Sequence, residues 1–140
     1  AVDLYALLES PSLRSAPSAA QLDLLSQLGK LIETGSSPEV RVGILRSIKR
    51  IVHDRPVVIA FLAPALVTCA AETNSGIRIA AERVLRRAFV VAGQGVTNRK
   101  NVDAAKSGLE KADQDFIDRR VAKVLAMPDS EDEAGDGDDE

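Results

Sequence analysis

The apolar positions of this chain recur at helical spacing, and between residues 36 and 92 they trace one pattern twice. In the first copy Val40, Ile44, Ile48, Ile51 and Val52 gather on one side of a helix at ~100° per residue. In the second copy Ile77, Ala81, Leu85, Ala88 and Phe89 do the same. The copies lie 37 positions apart, which pairs Val40 with Ile77, Ile48 with Leu85 and Val52 with Phe89. The same offset pairs Arg46, Lys49 and Arg50 with Arg83, Arg86 and Arg87, all on the side opposite the apolar stripe. A repeat of this length with helical periodicity predicts an α-solenoid.

Arg41 and Arg78 break the pattern in the same way, because both fall on the apolar side near a helix start. A charge placed there must be paired or must reach out to water. Both are read as structural ladder residues that bond carboxylates or carbonyls of neighbouring turns.

The flanking segments complete the pairs. A helix over 18–33 carries Leu22, Leu25, Leu28 and Ile32 on one broad stripe, with Ser18 as its cap and Gly35 past its end. Ser37, Pro38 and Glu39 supply a cap, a first-turn proline and a favourable charge for the next helix. Asp54-Arg55-Pro56 reads as a turn into a stripe of Ile59, Leu62, Leu66 and Ala70. Pro64 lies inside that helix and removes the hydrogen bond to the Ala60 carbonyl, which predicts a kink. Asn74 or Ser75 caps the helix of the second copy, and Gly93-Gln94-Gly95 ends it.

Three further helices are expected. Segments 2–9 and 102–108 predict short ones, and 113–127 a longer one with Phe116, Val121, Val124 and Leu125 for packing. The expected architecture is all-α: a HEAT/armadillo-like solenoid over 1–127, with helical pairs at about 18–54 and 56–92 and a capping helix at about 113–127. The unit is shorter than the ~40–47 residues of HEAT and longer than the ~34 of a tetratricopeptide repeat, whose tryptophan and tyrosine positions are missing. The last stretch, 128–140, is too charged and glycine-rich to fold.

Charge sharpens this picture. The net charge of −3 conceals an acidic end, since residues 129–140 hold eight carboxylates and no basic residue. All 18 basic side chains lie before it, against 13 acidic ones. A basic helical body followed by an acidic end points to a polyanionic partner, or to an internal mimic of one. Arg46, Lys49, Arg50, Arg83, Arg86 and Arg87 are the candidate partner-binding residues, suited to a phosphate backbone or an acidic protein face. The alternative reading of these six is a solvated helix face. No aromatic residue interleaves with them, which argues against base stacking. Ser130, inside Asp129-Ser130-Glu131-Asp132-Glu133, is a candidate phosphosite for an acid-directed kinase.

Motifs for catalysis are absent. His53 is the only histidine, Cys69 the only cysteine, and no Gly-Lys-Ser/Thr follows the glycines at 93–95. No Cys/His cluster suits zinc, and the acidic end lacks the spacing of a calcium loop. The expectation is therefore no enzyme, cofactor, metal or small-molecule substrate. A lone cysteine forms no disulfide framework, and no apolar run approaches the ~20 residues of a membrane span. A cytoplasmic, non-membrane protein is expected, with upstream repeats of a parent chain as neighbours.

The stretch Asn74-Ser75-Gly76-Ile77-Arg78-Ile79-Ala80-Ala81-Glu82-Arg83 resembles the extreme carboxyl end of the general control non-derepressible protein one family, giant HEAT-repeat translational activators. The resemblance extends over about residues 36–140 and includes Asp118-Arg119-Arg120 in the last helix. It implies a scaffold that binds ribosomes and supports activation of the kinase of initiation factor two alpha in amino-acid starvation. In that family the kinase-binding region lies upstream, so no kinase-binding residue is carried over. The competing readings are a generic HEAT adaptor of the transport or phosphatase-subunit type, and RNA binding through the basic ridge.

Overall fold

The computed structural model describes residues 18–35, 37–91 and 93–126. The expected helix at 2–9, the acidic end at 128–140 and Ser130 lie outside them. Six α-helices occur among the described residues: α1 (Ala19–Thr34), α2 (Pro38–Ile51), α3 (Pro56–Ala70), α4 (Ser75–Phe89), α5 (Arg99–Ser107) and α6 (Lys111–Leu125). Among the described residues the fold is all-α apart from one two-stranded hairpin.

Local signals set the helix boundaries. Ser18 and Gln21 bond reciprocally at the start of α1, each side chain accepting from the other's backbone N–H. Ser37 caps α2 through the Val40 N–H, with Pro38 at the first position. Asn74 caps α4 through the Ile77 N–H. A 3₁₀ turn at Val52–Asp54 joins α2 to α3. The helix α3 continues through Pro64 to Ala70.

The helices fall into two rows. In one row α1 packs along α3 and α3 along α5; in the other α2 packs along α4, and α4 also meets α3 and α6. The central helix is α3. Its sequence is apolar nearly all round because it touches α1, α4 and α5, and Val58, Ile59, Leu62, Ala63 and Leu66 are fully buried. The core continues through Leu25, Leu28 and Ile32 of α1, Leu45 and Ile48 of α2, and Ile77, Leu85 and Phe89 of α4. Gly29 stands where α1 meets Leu62 and Ala65 of α3, and a Cβ there would make ordinary van der Waals contact with both.

Several boundaries differ from the sequence expectation. The fourth helix stops at Phe89, three residues before the expected end. Val90–Val91 then pairs antiparallel with Val96–Thr97 as β1 and β2. β-branched residues on both sides favour the extended backbone, and Gly93 and Gly95 turn it with φ of 77° and 65°. The helix expected over 102–108 begins at Arg99, capped by Asn98, and the one expected over 113–127 runs Lys111–Leu125. Val40, expected on the core side, is 48% exposed, whereas its repeat partner Ile77 is fully buried. The difference follows from position: α4, which carries Ile77, packs against both preceding helices α2 and α3, and α2 has only α1 before it among the described residues.

Candidate functional site

Two arginines fasten the ends of the first-row helices. Arg41 donates from Nε to the Ile32 carbonyl and from Nη2 to the Glu33 carbonyl, both at 2.7 Å, and pairs with Glu72 Oε2 at 3.2 Å. These carbonyls belong to the last turn of α1, where no intrahelical N–H remains to meet them and the helix dipole favours a cation. The Cys69 thiol donates to the same Ile32 carbonyl at 3.1 Å. Burial pushes that thiol above its ordinary value, against the pull of the nearby Arg41. One unit later Arg78 donates from Nη1 to the Glu72 carbonyl at 3.3 Å, just past the end of α3.

The six ridge cations divide. Arg46 and Lys49 of α2 and Arg83 of α4 line one groove of about 260 Å³ between the two helices, with Val42, Gly76, Ile79 and Ala80 as its apolar lining. The spacing explains the shape. Val42, Arg46 and Lys49 follow one another at i, i+4 and i+7, and Gly76, Ile79/Ala80 and Arg83 at i, i+3/i+4 and i+7, so each set lies on one helix face. Gly76 contributes no side chain, which leaves space opposite the Val42 methyl. Arg50, Arg86 and Arg87 do not line this groove.

Burial varies along the ridge. Lys49 is buried, Arg83, Arg86 and Arg87 are half-buried, and Arg46 and Arg50 are exposed. The reason is that α2 and α4 lie side by side, so the flank of α2 beside Leu45 is also a contact surface. Long basic side chains lay their methylene stems along such a surface and direct the charged head outward.

Two arrangements were missed from the sequence. Asn101 is buried, and its Nδ2 donates to the carbonyls of Val52 at 3.0 Å, His53 at 3.2 Å and Ala88 at 2.9 Å. Asn98 Nδ2 donates to the His53 carbonyl at 2.9 Å while its Oδ1 caps the Asn101 N–H. The two asparagines thereby close the ends of α2 and α4 with α5. On α6, Arg120 pairs with Glu82 at 3.0 Å and lies 5.6 Å from the centre of the Phe116 ring. The Phe116–Arg120 spacing of i, i+4 in a helical segment was the available signal.

Among the described residues no group of three or more His, Cys, Asp or Glu is placed to hold a metal ion. No helix among them is long and apolar enough to cross a membrane. No family model, curated protein or solved structure matches the chain.

Proposed function

We propose that the chain is a HEAT-type α-solenoid segment whose α2–α4 groove binds a phosphate backbone, with ribosomal RNA as the polyanion. The observation that carries this reading is the convergence of Arg46, Lys49 and Arg83 on one groove between equivalent helices of two units. The two-row stacking of α1, α3 and α5 against α2 and α4, and the matched tasks of Arg41 and Arg78, support the solenoid part. α6, lying on α4 and α5, takes the place of a terminal cap. The ribosome, and a scaffold role in activating the initiation-factor-two-alpha kinase, come from the resemblance of residues 74–83.

The test is fluorescence anisotropy of the full chain with a labelled ribosomal RNA fragment across a salt series. Arg46→Glu with Arg83→Glu should weaken binding at least about tenfold at low salt and flatten the salt slope by about two. Arg99→Glu, an exposed cation on α5 outside the groove, should leave affinity within about twofold. Equal losses from both would overturn the groove reading. The apolar floor of Val42, Ile79 and Ala80 favours a second reading, a protein-binding adaptor. A ribonuclease-resistant, non-ribosomal partner lost on Ile79→Glu would select it.

A further inference from the structure

Phe116, Arg119, Arg120 and Lys123 follow one another on α6 at i, i+3, i+4 and i+7, so one face of the helix carries a ring among three cations. The four side chains line a cavity of about 110 Å³. That is well below a small-molecule pocket and leaves room for one flat ring or one phosphate group.

The nearby acids of α6 are engaged elsewhere. Asp115 bonds Lys111 at 2.6 Å, and Asp118 bonds Lys106 at 2.7 Å. The Lys111 bond holds the Asp115 carboxyl low, and Arg119, one turn later, adds only the field of its charge. Arg119 and Lys123 are exposed, and neither makes a hydrogen bond or salt bridge to a described residue. Arg120 is held in place. Its Nη2 donates to Glu82 at 3.0 Å, and its guanidinium lies 5.6 Å from the centre of the half-buried Phe116 ring. Its buried Nε–H meets no acceptor among the described residues, which favours a ligand that brings one.

Cations alone suit a duplex backbone, a single strand or an acidic peptide. The ring separates these ligands. Unpaired bases stack on aromatic side chains and guanidinium planes while cations follow the phosphates, whereas a duplex keeps its base faces covered. An acidic peptide brings charge without an obligatory flat face. No ring lines the α2–α4 groove.

We propose that this face of α6 binds single-stranded RNA, with one base stacked on the Phe116–Arg120 pair and the adjoining phosphates on Arg119 and Lys123. The inference takes its ligand class from the RNA reading above but uses none of the groove cations, so the two fail separately.

The chain has no tryptophan, so Phe116→Trp places a single reporter in the site. A short oligoadenylate added to the full chain at low salt should quench its emission. Inorganic polyphosphate, which has charge without bases, should not. In anisotropy titrations with labelled oligoadenylate, Arg119→Glu with Lys123→Glu should weaken binding at least about tenfold and flatten the salt slope by more than about one. Phe116→Leu should weaken it at least about fivefold, the low end for one stacked base, and leave the slope unchanged. Equal quenching by polyphosphate would reduce the face to a charge patch and overturn the proposal, and this arm does not depend on Phe116→Leu folding. Wild-type affinity in a folded Phe116→Leu chain would overturn it too, as would tighter binding of oligoglutamate than of oligoadenylate at equal charge. Losses from the α6 variants but not from Arg46→Glu with Arg83→Glu would retain this site and remove the groove reading; losses from the groove variants alone would do the reverse.

Discussion

Asn101 shows what one side chain does in this fold. Its amide meets the carbonyls of Val52, His53 and Ala88, which are left over at the ends of two helices. Asn101→Ala strands those buried acceptors, and urea melts should show a loss of about 1–3 kcal/mol. Leu85 offers a second measure, because it is fully buried at the centre of the α4 stripe. Leu85→Ala should cost about 2–5 kcal/mol, while Arg50→Ala, on an exposed side chain, should stay within about 0.5 kcal/mol. Equal midpoint shifts would contradict the placement of the stripe. The burial of Ile48, Leu85 and Phe89 was legible from periodicity alone. The burial of Lys49 was not, because a single-helix projection shows one buried face and α2 has a second neighbour in α4. Nor was Asn101, which sits among Asn98, Arg99 and Lys100 and reads as solvated loop.

Among the elements, the exit of α1 gathers several side-chain bonds in one place. Arg41 needs its fork there, since it reaches two carbonyls and the Glu72 carboxylate at once. Arg41→Lys supplies a single ammonium in place of that fork and should cost about 1–3 kcal/mol by denaturant melting. Gly35→Ala should also destabilise, because a Cβ at that position would run into the Leu31 carbonyl. The Cys69 thiol in the same cluster gives a pH signature. Its folded value is raised, so its contribution is complete below the unfolded value of about 8.5 and is lost as pH rises through the folded one. Stability should therefore decline above about pH 8.5, and Cys69→Ala should flatten that decline. The exposed Lys111–Asp115 pair does not confuse the reading, because in this window both groups keep their charge. The caps at Ser18 and Ser37 were legible as side chains with a mechanism, and at the start of α4 the structure selects Asn74 over Ser75. The hairpin was hidden because Val90 and Val91 continue the apolar run of α4, and two-residue strands leave too few positions for alternation to show.

For the whole molecule, the 37-residue self-similarity was legible as two helices with matching stripes, and α2 and α4, which carry the two copies, pack side by side. What the repeat could not give is how the last helices attach, since α5 and α6 have no counterpart in it. They attach through different physics. α5 holds the end of the stack with the Asn98 and Asn101 amides, and α6 adds the Arg120–Glu82 pair, the buried Ile117 and Val124, and a Lys106–Asp118 bridge at 2.7 Å. α3, in contrast, is packed on three sides by apolar surface. Stability should thus fall from α3 outward toward α6, in cooperative units rather than residue by residue. Native-state hydrogen exchange should find the amides of Ile59, Leu62, Ala63 and Leu66 opening only with global unfolding. Those of α6 should open earlier, through a local unfolding event. Asn101→Ala should lower the opening free energy of α5 and α6 and, beyond the overall loss seen by urea, leave the order among α1–α4 unchanged. Uniform protection across all six helices would mean that the asparagine clamp joins α5 and α6 to the core as tightly as the apolar stripes join α1–α4, and the outward fall in stability would be wrong.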